Sequence, residues 1–226
     1  MSQYVNYLSQ YADIMVFTEC FTPVAKQAIM KSLQKWSSTP IQRENFMMGS
    51  GVLIVWRKNK FVQDQTIHQI TYKSCCQFDC LSDKGAIHVS LRTPKNGNLH
   101  IIGTHLQSWE IPIICNGVRK SQMNSLRIMY DNLEFHGNIK PNEPVIFTGD
   151  FNQNILKGIS PDLKAFNISC LGSNCNTHSL GRFDHFFIRN YLISKDEQLF
   201  SRVIRLNQMP NPSDHEAIYL NIDLHN

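Results

Sequence analysis

No stretch of this chain is apolar over the roughly 20 residues a membrane-spanning helix needs. Met1 to Gln10 is polar and mildly amphipathic, with no basic start leading into an apolar block. A secretion signal is therefore not expected in the chain as given, and a cytoplasmic location is favoured unless an upstream segment is missing. No internal repeat, low-complexity tract or linker interrupts the 226 residues, so a single domain spanning 1–226 is expected, long enough to bury a core. Charge is sparse: Asp, Glu, Lys and Arg make up 18% of the chain, and the net charge of +4 comes from dispersed basic residues. That excludes a dedicated nucleic-acid footprint, while an anionic substrate or weak peripheral contact with a lipid surface remains compatible. No long apolar hairpin lies between Asn190 and Ser213, which argues against strong bilayer insertion. Seven cysteines include no CxxC pair with a matching partner, so a structural zinc site is not expected. Free thiols in a reducing compartment are the favoured state, with a Cys170–Cys175 bridge as the alternative for a secreted chain.

What the sequence does have is a series of short apolar runs between helical stretches and Gly/Pro/Asn turns. Helices are predicted over 2–12, 23–36 and 117–135, the last with Val118, Met123, Leu126, Met129, Tyr130 and Leu133 on its apolar face. Strands are predicted over 13–18, 51–56, 66–72, 86–92, 99–105, 144–148, 184–189, 200–206 and 216–223. Short strands mixed with a few helices imply two packed sheets flanked by helices, an α/β sandwich.

The most telling segment is Val145-Ile146-Phe147-Thr148-Gly149-Asp150-Phe151-Asn152. Val145 to Thr148 reads as a buried strand that Gly149 breaks. On an extended chain side chains alternate, which would aim Asp150 and Asn152 the same way. A carboxylate and a carboxamide side by side suit a hard cation and a phosphate oxygen. The competing reading is an Asx turn. Three companions follow other apolar runs: Phe17-Thr18-Glu19, Gly103-Thr104-His105-Leu106-Gln107 and Ser213-Asp214-His215. Glu19 after so apolar a strand is costly unless paired or coordinated. His215 has the unperturbed pKa to take a proton from water near neutral pH. Lys84, in Ser82-Asp83-Lys84-Gly85, is either a phosphate contact over a small glycine or a solvated turn lysine. Arg119 and Gln122, one helical turn apart, are expected on a solvated helix face.

This ordered set resembles the endonuclease/exonuclease/phosphatase superfamily, in its neutral sphingomyelinase branch, from about Tyr4 to Leu224. Ser50 to Val55, Asp79-Cys80-Leu81-Ser82-Asp83-Lys84-Gly85-Ala86 and Arg119 to Met123 extend the likeness, and the segment from Asp79 to Ala86 tilts it toward sphingomyelinases. The resemblance implies a DNase I-like two-sheet α/β sandwich and a Mg2+-dependent phosphodiesterase, with Mn2+ as the other candidate ion. It implies Glu19 and Asp214 at the metal, and His215 as general base oriented by Asp184. Asp150 and Asn152 would orient water and bind phosphoryl oxygens, and His105 would stabilise the phosphate or protonate the leaving oxygen. Lys84 and Gln107 would bind substrate. The expected substrate is sphingomyelin, cleaved to ceramide and phosphocholine by a monomer. The alternatives are a nuclease, a phosphoinositide or nucleotide phosphatase, or a non-catalytic remnant. One departure stands out: the family's initial strand, with its asparagine, would precede the first helix here. The chain is therefore expected to be a fragment or a late start, or to fill that slot with another segment.

Overall fold

The computed structural model describes residues 2–40, 50–95, 97–108, 112–153, 158–160, 163–167, 176–179, 182–189, 200–204 and 213–222. In chain order the elements are α1 (Ser2–Leu8), β1 (Ile14–Phe17), α2 (Pro23–Ser32), β2 (Trp36–Ser38), β3 (Leu53–Arg57), β4 (Val62–Gln63), β5 (His68–Thr71), β6 (Gly85–Arg92), β7 (Asn98–His105), α3 (Pro112–Phe135), β8 (Val145–Asp150), β9 (Gly158–Ser160), β10 (Ala165–Asn167), β11 (Asp184–Arg189), β12 (Phe200–Ile204) and β13 (Ala217–Asn221). A 3-10 turn covers Gln77–Leu81.

Alternation along the strands explains the layering. Residues of one parity on β6, β7 and β8, among them Ile87, Val89, Leu91, Leu99, Ile101 and Ile146, meet Val52, Ile54 and Trp56 between two sheets. Residues of the other parity, such as Ala86, Ile102, Val145 and Phe147, pack under Met123, Leu126, Met129, Tyr130 and Leu133 of α3. A third cluster seats α1 and α2 on the outer face of the small sheet, through Val5, Ile29 and Leu33 against Met15, Leu53 and Val55. The result is the expected two-sheet α/β sandwich, with helices on the outside.

The large sheet runs β4-β6-β7-β8-β11-β10-β9, with β5 also paired to β6. The β7–β8 pair is parallel, joined by α3 as crossover, and this brings His105 directly opposite Asp150. β11 lies antiparallel on the far side of β8, with Asp184 opposite Asp150. The other layer is split among the described residues into β1-β3-β2 and the hairpin β12-β13. No helix among the described residues is long and apolar enough to cross a membrane.

Three sequence expectations need correction: Gly149 as a strand breaker, the helix over 23–36, which ends at Ser32 before Trp36 opens β2, and the free thiols. Gly149 does not break its strand: β8 continues to Asp150. With φ at +131°, Gly149 lets Thr104 O come within 2.0 Å of where a Cβ would stand, so only glycine keeps the parallel pair closed there. The short strands β2, β9 and β10, of three residues each, carry too little periodicity to be read from sequence. The free-thiol expectation fails as well. Cys75 is bonded to Cys80 and Cys76 to Cys115 on α3. Cys75 closes a local loop while its neighbour Cys76 reaches across to the helix. Cys20 is a buried free thiol. Cys170, Cys175, Trp109 and most of the span from Asn190 to Ser213 lie outside the described residues.

Candidate active site

The register of three strands assembles the centre of the site. Asp150 closes β8 between His105 on β7 and Asp184 on β11. Two carboxylates directly opposite each other repel, and they are nearly out of water. Burial first, then the Asp184 charge, pushes Asp150 up to about 8, against the opposing pull of His215 and Lys84. His215 sits above the pair, its Nδ1 2.7 Å from Asp184 Oδ2. Burial works against the imidazolium, but the Asp184 bond and the charges of Asp184, Asp150 and Asp214 win, raising it to about 9. Asp150, Asp184 and His215 offer ligand atoms within 4.8 Å of one another.

Asn152 is not aimed by strand alternation. It has φ at +50°, outside extended geometry, and follows an Asx turn: its N–H donates to Asp150 Oδ1 at 2.8 Å. Its Nδ2 donates to Asp150 Oδ2 at 2.9 Å and to Leu106 O at 3.0 Å. The turn and the functional reading are therefore one structure, and Asn152 Oδ1 is the atom it can offer outward.

His105 is buried and accepts at Nε2 from Lys84 Nζ, 2.9 Å away. An ammonium has no acceptor to offer, so the ring proton is on Nδ1. Burial, then the charges of Lys84 and His215, hold His105 well below its usual range. It stays neutral, its Nδ1 buried and without a hydrogen-bond partner among the described residues, while Nε2 lies 3.6 Å from Asp150 Oδ2.

Lys84 and Gln107, expected to bind substrate, are used inside the protein. Lys84 is 5% exposed; besides His105 it meets Leu106 O at 3.0 Å and Asp79 Oδ2 at 3.1 Å, which occupies all three of its donors. Gly85 beside it is needed because Ile70 O of β5 leaves only 2.1 Å for a Cβ, not to let phosphate approach. Gln107 holds the loop before β6: Oε1 accepts from Cys76 N, and Nε2 donates to Cys76 O and to Asp79 Oδ2. Arg119 and Gln122 are buried too, not solvated. Arg119 Nη1 donates to Ser108 O, while Gln122 accepts from Gln107 N and donates to Ser74 O. With the two disulfides they pin the loop from Ser74 to Ser82 onto α3.

Glu19 stands exposed just past β1, with φ at +60°. It lies at the same end of the sandwich, since the ring of Phe21 is 5.9 Å from that of His105. It is not among the ligand atoms grouped around Asp150. Asp214 is mostly exposed, and its Oδ2 is 3.6 Å from His178 Nε2. His178, Asp214 and His215 form a second such group. His178 was missed: it carries no motif, and only packing on Phe183 and beside His215 reveals it. Thr177 was missed likewise; its Oγ1 accepts from Phe183 N and Asp184 N, and its carbonyl from Glu216 N. It ties the Asp184 strand to the one after His215.

The donor set fits a hard divalent cation. It is rich in carboxylate and carbonyl oxygen, and burial with the neighbouring Asp184 charge holds a proton on Asp150 that a cation could displace.

Comparison with known proteins gives the family and the fold. The model of the endonuclease/exonuclease/phosphatase family matches residues 2–215. A phospholipase C of Staphylococcus aureus is 28% identical over 169 residues, 67% of this chain and 48% of that protein. The chain thus spans about half the length of the curated relatives it matches. Among solved structures, a beta toxin variant from Staphylococcus aureus with bound magnesium ions superposes with a TM-score of 0.72 at 19% identity, over 97% of this chain and 88% of that one. Sphingomyelinase C from Streptomyces griseocarneus gives 0.62 at 15% identity, over 97% and 88%. At these identities the two structures establish the shared fold.

Proposed function

The chain belongs to the endonuclease/exonuclease/phosphatase family, and on that premise we propose that it is a Mg2+-dependent phosphodiesterase that cleaves sphingomyelin to ceramide and phosphocholine. The observation that carries the reading is the Asp184–His215 pair set beside the buried Asp150. In this reading Asp184 fixes the His215 tautomer with the proton on Nδ1, and Nε2 takes a proton from the attacking water. Asp150 and Asn152 orient that water and the phosphoryl oxygens. His105 would stabilise the phosphate, with Lys84 fixing its ring. Glu19 and the Asp150–Asn152 turn would hold Mg2+, with Mn2+ as substitute, and Asp214 would stand at its rim. Bound there, the cation would supply charge neutralisation of the phosphoryl oxygens and of the carboxylates that raise His215.

The headgroup diester of a phospholipid suits a surface without clustered basic charge. The phospholipase C relative and the sphingomyelinase neighbour support the same substrate class. Two disulfides fit an oxidising compartment, in place of the cytoplasm. The test is phosphocholine release from sphingomyelin vesicles with and without Mg2+, run beside plasmid nicking. Mg2+-dependent release without nicking is expected. Nicking without release would move the substrate to nucleic acid, and neither activity would leave a binding protein on an enzyme scaffold.

A further inference from the structure

On the α3 side of the large sheet, away from the catalytic residues, lies a second concentration of imidazoles. His68 on β5 and His88 on β6 are directly opposite each other, with ring centroids 5.7 Å apart. Ser90, two residues past His88, faces the same way. Asp64 N donates to Ser90 O, which brings the segment carrying Gln65 alongside. Val62 opposes Arg92 and His68 opposes His88, so six steps on one chain face four on the other, and Gln65 sits in the resulting bulge. Four atoms here are buried without any protein partner: Gln65 Oε1, His68 Nε2, His88 Nδ1 and Ser90 Oγ.

The tautomers behind them are set by a relay. Glu143 Oε2 is 3.0 Å from His100 Nε2. Burial opposes its charge, but the Lys140 N–H and His100 hold Glu143 below its usual pKa, so it accepts and His100 Nε2 donates. Burial keeps His100 neutral, which leaves its Nδ1 bare to accept from His88 Nε2–H at 3.0 Å. His88, fully buried and donating from Nε2 to His100, therefore presents a lone pair on Nδ1. A lone pair in that setting is unfavourable unless something takes it up. With His68 protonated on Nδ1, its Nε2 supplies a second. A carboxylate–imidazole chain behind a ligating nitrogen is the outer-shell arrangement that fixes the tautomer and raises basicity at metal centres.

We propose that His68 and His88, with Ser90 and Gln65 completing the set, form a second cation site that takes a late first-row divalent cation such as Zn2+. A nitrogen-led donor set selects such ions over Mg2+. The site is separate from the catalytic one: His88 pairs with Ile102, three residues or about 10 Å along β7 from His105. The two sites then draw on different ions.

The test uses tag-free protein stripped of metal and then held in excess Mg2+. Zn2+ is titrated calorimetrically, and Co2+ serves as a visible-absorption probe of nitrogen ligation. One tight equivalent is expected in the wild type and in His215→Ala, which removes the imidazole of the catalytic end. It should be lost in His68→Ala and in His88→Gln, and weakened about 10- to 100-fold in Glu143→Gln, as for other outer-shell changes. His68 lies half-buried on the edge strand β5, so His68→Ala should keep the melting curve of the zinc-free protein and its Mg2+-dependent hydrolysis. No tight Zn2+ equivalent in excess Mg2+, which would leave buried water as the occupant, overturns the proposal. So does an equivalent that survives both His68→Ala and His88→Gln.

Discussion

Replacing Asp184 by Asn tests the proposed general base most directly. The 2.7 Å bond from His215 Nδ1 ends on a carboxylate that is 13% exposed, so the substitution keeps an acceptor and removes a charge. The pKa of His215 is raised from 6.5 to about 9, with Asp184 providing the bond and the first of the raising charges, ahead of Asp150 and Asp214. Each unit is worth about 1.4 kcal/mol. Assigning Asp184 most of the rise gives a loss of about 2 kcal/mol and a fall of between one and two units. Because the folded value is raised, this stabilisation of the protonated form is fully present below about 6.5 and disappears as pH rises through about 9. The assay is an NMR titration of the His215 ring in metal-free protein, paired with the pH dependence of kcat in Mg2+. The variant should titrate lower, and its alkaline-going limb should begin at lower pH. Its plateau should fall by at least tenfold, because the imidazolium formed in the transition state is no longer stabilised. An unchanged His215 titration would refute the electrostatic reasoning. An unchanged plateau would refute the role of the pair in catalysis.

Other expectations are as specific. His215→Ala should lower kcat by at least about 10² while leaving the melting transition in place; wild-type rates across neutral pH would remove His215 from the mechanism. Hydrolysis should stop in excess chelator and return with Mg2+ or Mn2+, and full turnover in chelator would contradict the oxygen-rich site. Cys115→Ser opens a loop of sequence separation 39 and should cost about 4 kcal/mol by the chain-entropy relation, read from urea melts. It should also loosen the loop from Ser74 to Ser82, and an unchanged midpoint would show the pairing is dispensable. Acid should unfold the protein through its buried neutral histidines. His88 and His185 are held down to about 3 and about 4, chiefly by burial. Their contribution is complete above about 6.5 and is lost as pH falls toward those values. Midpoints that do not move between pH 7 and pH 4.5 would contradict that accounting.

The sequence by itself determined the sandwich and picked out the acids and imidazoles that the strand register then gathers at one end. Runs such as Leu53 to Trp56 and Leu99 to Thr104 can be buried only as strands between layers. The acids and imidazoles at the ends of apolar runs, Asp150 and His105 after theirs and His215 just before its own, could be picked out because leaving them there without partners is costly. Glu19 and Asp214 were legible as residue types, yet their placement, exposed and outside the ligand atoms around Asp150, was not. The tertiary structure alone decided what each polar atom faces. Asp150 and Asp184 are 34 residues apart in sequence, and only the β8–β11 register sets them opposite each other and raises Asp150. Lys84, Gln107, Arg119 and Gln122 look like surface residues because nothing local hides them. They are buried because two disulfides and α3 fold a loop over them. His178 and the His68–His88–His100 cluster are silent in sequence for the same reason. A histidine's role is set by which nitrogen meets which neighbour, and those neighbours come from strands that only pairing brings together.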